Sequence, residues 1–211
     1  MHLHLVTDRN LTLGRSLIDI IRAAVAGGVS VVQLREKHCT TRDFVNLGQE
    51  VARELRPSGV PLIINDRVDV ALAIGAGGVH LGQQDMPYAI AREMMGPDAV
   101  IGLSVETVEQ ARFAEQFDAD YLGLSPVFST ATKTDTAAPL GLDGIRRIRA
   151  SSRHKLVAIG GLHVGNAKDV VAAGADGLAV VSAICSAPDP CVATAELSRF
   201  ILNIERKTEH S

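Results

Sequence analysis

The sequence predicts an α/β fold, a single (β/α)8 TIM barrel with parallel strands built from residues 1–211. Three observations predict it. Short apolar runs alternate with helical spacings eight times along the chain. The runs are four or five residues long and almost wholly apolar, as expected of a parallel sheet buried on both faces. Polar and charged residues gather where the runs end, which in a parallel barrel is a single face. An open doubly wound sheet is the competing fold, but it needs fewer strands and usually a reversal point.

The elements follow in order. Leu3 to Val6 is the predicted first strand, ending at Thr7-Asp8. Ser16 is placed to cap a helix carrying Leu17, Ile18, Ile21 and Val25, which Gly27-Gly28 stops. Ser30 to Leu34 is the second strand and Thr41 to Leu55 its helix. Pro61 to Ile64 is the third strand, followed by a short helix from Val68 to Ile74 that ends at Gly75. Gly78 to Leu81 is the fourth strand, with a helix from Pro87 to Met95 broken by Gly96-Pro97. Ala99 to Leu103 and Thr107 to Gln116 form the fifth unit. Tyr121 to Leu124 is the sixth strand, and a long loop from Ser125 to Leu140 precedes the helix from Leu142 to Ala150. Leu156 to Ile159 with Val164 to Ala173, then Gly177 to Val181 with Ala193 to Ile204, complete the set.

Composition narrows the function classes. A chain of 211 residues suffices for one sizeable domain and falls short of two. With 46% hydrophobic and 21% charged residues it is an ordinary globular composition, and the lack of Trp leaves an aliphatic core. The net charge is −3 from 21 basic and 24 acidic residues, with no basic tract to bind nucleic acid. Cys39, Cys185 and Cys191 are odd in number and form no Cys-x-x-Cys pair, so they read as free thiols in a reducing compartment. The N-terminal residues lack the basic-then-apolar order expected of a signal peptide, and no apolar run nears the roughly 18 residues of a membrane span. These features predict a cytoplasmic protein without a membrane or nucleic-acid partner, and they leave a homo-oligomer open.

The chemistry sits at the strand ends. Asp66 and Asp85 end neighbouring strands, where two carboxylates suit a hard cation such as Mg²⁺. Helix capping by either residue is the competing explanation. Arg35, Lys37 and Lys133 bring cations to the same face, with Asn65 and Gln33 beside them, as a metal-bound polyphosphate requires. The alternative is a solvated ion-pair cluster through Glu36. Gly160-Gly161 after the seventh strand and Val181-Ser182 after the eighth match the places where these barrels hold phosphate on backbone N–H groups. A turn requirement alone also explains the glycines. The Ser125–Leu140 loop carries Ser129, Thr130, Thr132, Thr134 and Thr136, a composition that fits either an anion-covering lid or a solvated loop. Ser104 ends the fifth strand as a candidate donor to substrate, with no base near it in sequence to make it a nucleophile. His80 lies inside an apolar strand and reads as a packed histidine supporting other residues.

The motifs Gln33-Leu34-Arg35-Glu36-Lys37, Asn65-Asp66-Arg67-Val68-Asp69, Gly78-Val79-His80-Leu81-Gly82-Gln83-Gln84-Asp85-Met86-Pro87 and Pro126-Val127-Phe128-Ser129-Thr130-Ala131-Thr132-Lys133 resemble those of the thiamine phosphate synthase family. Their order and spacing together are highly specific, and the resemblance runs from Leu5 to Ile184. It implies a transferase that condenses hydroxymethylpyrimidine diphosphate with a thiazole phosphate, carboxylated or not, giving thiamine phosphate and diphosphate. It implies one Mg²⁺ per subunit on Asp66 and Asp85. Gln33, Arg35, Lys37, Asn65, Ser104 and Lys133 would hold the pyrimidine diphosphate, with Arg35, Ser104 and Lys133 catalytic. Thr130, Thr132, Gly161, Val181 and Ser182 would hold the thiazole phosphate. The family's substitution is dissociative, so no protein nucleophile is needed. Ser125 and Ser129 stand where many relatives have Gly and Pro, and Gln84 where Glu is frequent. The rivals are a thiazole tautomerase, which need not bind a diphosphate, and a catalytically silent phosphate-ligand sensor.

Overall fold

The computed structural model describes residues 2–130 and 138–208, with side chains described up to residue 200. Eight parallel strands close into a barrel in sequence order. They are β1 (Leu3–Val6), β2 (Val31–Leu34), β3 (Leu62–Asn65), β4 (Gly78–Leu81), β5 (Val100–Val105), β6 (Tyr121–Leu124), β7 (Leu156–Ile159) and β8 (Gly177–Val180). His4 pairs with Val31 on one side and Ala179 on the other, so β8 closes onto β1. The open doubly wound sheet is thereby excluded.

The helices form the outer ring: α1 (Leu17–Ala26), α2 (Thr41–Leu55), α3 (Val68–Ile74), α4 (Tyr88–Met95), α5 (Val108–Ala114), α6 (Gly141–Arg149), α7 (Val164–Ala172), α8 (Ser182–Cys185) and α9 (Pro190–Thr208). Their starts follow local chemistry. The hydroxyls of Ser16, Thr40 and Thr107 accept from the backbone N–H of Asp19, Asp43 and Gln110, satisfying amides that the first turn leaves unpaired. α1 turns Leu17, Ile20, Ile21 and Ala24 inward, against an aliphatic layer that includes Val32, Leu34 and Ile64 of the barrel.

Three expectations need correction. β5 runs on to Val105, so Ser104 lies within the strand and pairs with Gly123 instead of ending it. A one-turn helix, α8, follows β8 where none was predicted, because four residues are too few to show a period. The closing helix starts at Pro190, three residues before the predicted Ala193. There Asp189 Oδ1 accepts from the amides of Cys191 and Val192, and proline fits the first helical turn. Cys39, Cys185 and Cys191 are free thiols. Among the described residues no helix is long and apolar enough to cross a membrane.

Candidate active site

A cavity of about 360 Å³ opens at the C-terminal ends of the strands. Every predicted site residue that the structure describes lines it: Gln33, Arg35, Lys37, Asn65, Asp66, Asp85, Ser104, Thr130, Gly161, Val181 and Ser182. Thr132 and Lys133, with Thr134 and Thr136, lie outside the described residues.

The acidic pair sits at the ends of β3 and β4. Neither aspartate caps a helix: α3 begins after Arg67 and α4 after Pro87, both without a side-chain cap bond. Asp66 instead adopts φ 63°, a left-handed conformation that costs an L-residue about 1–2 kcal/mol. Its amide donates to the His80 carbonyl at 2.8 Å, which holds it against β4. Strain of this kind concentrates where a side chain must be aimed. The Asp66 carboxylate meets Lys37 Nζ at 2.5 Å. Asp85 accepts from the Gly82 amide at 2.6 Å. Burial, followed by the neighbouring Asp66 carboxylate, pushes the Asp85 carboxyl above its ordinary range, against the pull of that amide and of Lys37. Two carboxylates are thus close enough to repel, beside one ammonium.

Among the described ion pairs, Glu36 joins neither Arg35 nor Lys37. Glu36 turns to Arg9, which grips it with two bonds of 2.9 and 2.6 Å. Arg35 stays on the cavity wall, with its amide donating to Thr7 Oγ1 at 3.0 Å and its guanidinium 3.7 Å from Asp8. Two basic side chains and two acids therefore share one rim.

The opposite rim comes from β7 and β8. Gly160 and Gly161 take φ 102° and 65°. A Cβ on Gly161 would stand 2.8 Å from the Ser129 carbonyl oxygen, so the backbone there passes too close to the 125–130 segment for any side chain. Asn166 secures the turn by donating from Nδ2 to the Gly161 carbonyl at 2.9 Å.

The floor holds residues that reading the sequence missed as a group. His80 Nε2 lies 2.8 Å from Ser104 Oγ, so a ring nitrogen does adjoin Ser104, delivered from the neighbouring strand. His80 Nδ1 lies 2.9 Å from Tyr121 Oη. Tyr121 is buried and hydrogen-bonded by the Gln33 side chain. His4 faces the edge of the Tyr121 ring, and burial, then the nearby His80, holds its pKa down to about 3. His80 lying among apolar residues was the visible signal; its partners depend on register and were not.

Comparison with known proteins decides the family. A family model described as thiamine monophosphate synthase matches residues 3–184. The chain belongs to the thiamine monophosphate synthase family. A thiamine-phosphate synthase from Albidiferax ferrireducens is 55% identical over 201 residues, 95% of this chain and 92% of that one. Another from Syntrophomonas wolfei is 52% identical over 187 residues, 89% and 90% of the two chains. The structure of a thiamine phosphate pyrophosphorylase from Pyrococcus furiosus superposes with a TM-score of 0.87 at 39% identity, covering 96% of each chain. Orotidine 5'-phosphate decarboxylase from Pyrococcus horikoshii, with a TM-score of 0.66 at 19% identity, shares the barrel fold alone.

Proposed function

We propose that this chain joins hydroxymethylpyrimidine diphosphate to a thiazole phosphate, carboxylated or not, forming thiamine phosphate and releasing diphosphate, with the carboxyl group of the carboxylated form leaving as CO₂. One observation carries the reading. A single cavity places two carboxylates and two cations on one rim and a close-packed glycine turn on the other, matching two anionic substrates side by side.

One Mg²⁺ per chain fits the acidic rim. Asp66 and Asp85 would hold it, since all the donors are oxygen and the carboxylates already crowd each other. Among the described residues no group of three or more His, Cys, Asp and Glu could cage a metal. Mg²⁺ binds through one or two carboxylates and completes its shell with water and substrate phosphate. When bound, it supplies positive charge to the diphosphate oxygens as they gain negative charge.

The protein's own share is positioning and charge. The methylene–oxygen bond breaks with its electron pair leaving on diphosphate, and the thiazole nitrogen lone pair forms the new carbon–nitrogen bond. Arg35 and Lys37, with Lys133 from the 125–140 segment, would stabilise the departing diphosphate. Gln33, Asn65 and Ser104 would bind and orient the pyrimidine, and Thr130, Thr132, Gly161, Val181 and Ser182 the thiazole phosphate. No covalent enzyme intermediate is required.

The test is direct. Purified protein with Mg²⁺ and both substrates should release diphosphate and thiamine phosphate. Folded protein that yields no thiamine phosphate with either thiazole form would overturn the reading. Conversion of the thiazole phosphate alone would favour the tautomerase, and binding without turnover the silent sensor. Asp66→Ala should lose activity at low Mg²⁺.

A further inference from the structure

We infer that Gln33, Tyr121 and His80 are positioning residues that fix Ser104 as a hydrogen-bond donor into the cavity. The inference rests on the proposed synthase activity for its kinetic arm and on geometry alone for the rest.

The barrel interior is carved for this chain of side chains. Gly102 on β5 pairs with His80 on β4 and with Tyr121 on β6, so both rings lean over the same backbone position. They stack with centroids 5.4 Å apart and planes at 22°. A Cβ on Gly102 would overlap the Tyr121 ring and stand 2.6 Å from His80 Nδ1. A Cβ on Gly123 would stand 2.8 Å from His80 Cε1. Glycine inside a strand weakens it unless another group must approach closely. Here two strand glycines clear space for one imidazole and one phenol.

The proposed direction runs from Gln33 through Tyr121 and His80 to Ser104. Tyr121 is buried, and burial drives its pKa up, so the phenol keeps its proton. The Gln33 side chain is hydrogen-bonded to that phenol, and its amide N–H donating to the phenol oxygen leaves the phenol proton for a second partner. The Tyr121 proton then goes to His80 Nδ1, 2.9 Å away. With Nδ1 accepting, the neutral imidazole carries its hydrogen on Nε2 and donates to Ser104 Oγ at 2.8 Å. Ser104 accepts from below, leaving its own O–H to point at bound substrate. Gln83 Nε2 donates to the Ser104 carbonyl at 2.6 Å and pins the same residue from the loop side. Donation suits an acceptor on the substrate, such as a ring nitrogen or a phosphate oxygen. The opposite direction, with Ser104 donating to His80 Nε2, would make serine a nucleophile with an adjacent base.

The two directions differ in the tautomer of one imidazole, which nitrogen NMR reads directly. In uniformly ¹⁵N-labelled protein, long-range proton–nitrogen correlations should show His80 protonated on Nε2 and bare on Nδ1. A predominantly Nδ1–H tautomer would overturn the inference, whether or not the protein turns over. The second arm is a double-mutant cycle on kcat/KM. Tyr121→Phe should lower it about fivefold in the parent, the scale of one neutral hydrogen bond, and less than about twofold once Ser104 is alanine. A merely structural tyrosine would give equal losses in both backgrounds, and that result also rejects the inference. Absence of turnover in the parent protein would sink the proposed reaction and leave the tautomer measurement standing. Should Tyr121→Phe fail to fold, the tautomer decides alone.

Discussion

Replacing Asp66 by Asn and by Ala separates the two jobs of that residue, backbone geometry and charge. Asn tolerates the left-handed backbone at φ 63° and keeps the side-chain shape, so the first job survives. The ion pair with Lys37 is lost, but the lysine side chain is 43% exposed, and such pairs contribute about 0–1 kcal/mol. Loss of the charge also relieves the crowding with Asp85, whose carboxyl is raised partly by Asp66. These two small effects have opposite signs. Asp66→Asn should therefore shift the melting temperature by less than about 4 °C in a chain of this size. Asp66→Ala puts an ordinary L-residue in the same region without the local hydrogen bonding that lets Asn and Asp tolerate it, and lowers the melting temperature further. Activity should follow charge instead. Removing one of two carboxylates should weaken the Mg²⁺ dependence by more than the roughly 10–100-fold that loss of a mere ligand-orienting group costs. The assay is diphosphate release titrated with Mg²⁺, beside thermal melts of both variants. An Asp66→Asn protein with unchanged half-saturation by Mg²⁺ would show that the residue is strained for some reason other than holding a cation.

Two further predictions test other parts of the molecule. Gly161→Ala places a Cβ 2.8 Å from the Ser129 carbonyl at φ 65°, so it should raise KM for the thiazole phosphate about tenfold, while KM for the pyrimidine diphosphate stays put. Equal effects on both substrates would break the division of the cavity into two halves. Glu115 is a stability test remote from the site. Burial alone would raise its pKa, but hydrogen bonds from Ser152 and His154 more than offset that and hold the carboxyl below its ordinary range. A lowered carboxyl contributes stability above the unfolded value and loses it as pH falls through the folded one. Glu115→Gln should therefore destabilise at neutral pH, and its melting temperature should converge with the parent's below about pH 4. A gap that stays constant from pH 7 to 3 would contradict the cause assigned to the shift.

The strands were legible because a buried parallel sheet leaves little freedom of residue type. Val31-Val32, Leu62-Ile63-Ile64 and Leu178-Ala179-Val180 admit few other readings. The site rims were legible for a related reason: a residue just past an apolar run is on the active face whatever its exact angle. What the linear chain hid was the meaning of each such residue. Capping and metal binding ask for the same residue type at Asp66 and Asp85. Only the backbone, with α3 starting after Arg67 and α4 after Pro87, separates them. The floor was hidden more deeply. His80 reaches Ser104 across 24 residues and Tyr121 across 41, and both contacts depend on which strands neighbour each other and in what register. The available signal was Gly102 and Gly123 inside apolar strands, where an isolated glycine marks a close approach by another group.

Local rules are broken in this chain at a few places, and several of those places meet at the cavity. The helices start with ordinary caps at Ser16, Thr40 and Thr107. The departures are an aspartate in the left-handed region, two glycines in strand interiors, and histidine and tyrosine stacked inside a barrel. These lie on β4 to β6 or, for Asp66, just past β3, beneath or beside one cavity. A chain selected for stability alone would fill Gly102 and Gly123 with side chains and put an apolar pair where His80 and Tyr121 stand. Such changes would tighten the barrel while removing the hydrogen bond that orients Ser104. The outer ring of helices follows local rules, while the strands around the cavity hold side-chain geometry at the expense of packing. Stabilising substitutions in the first group should leave turnover intact, and those in the second should trade it away.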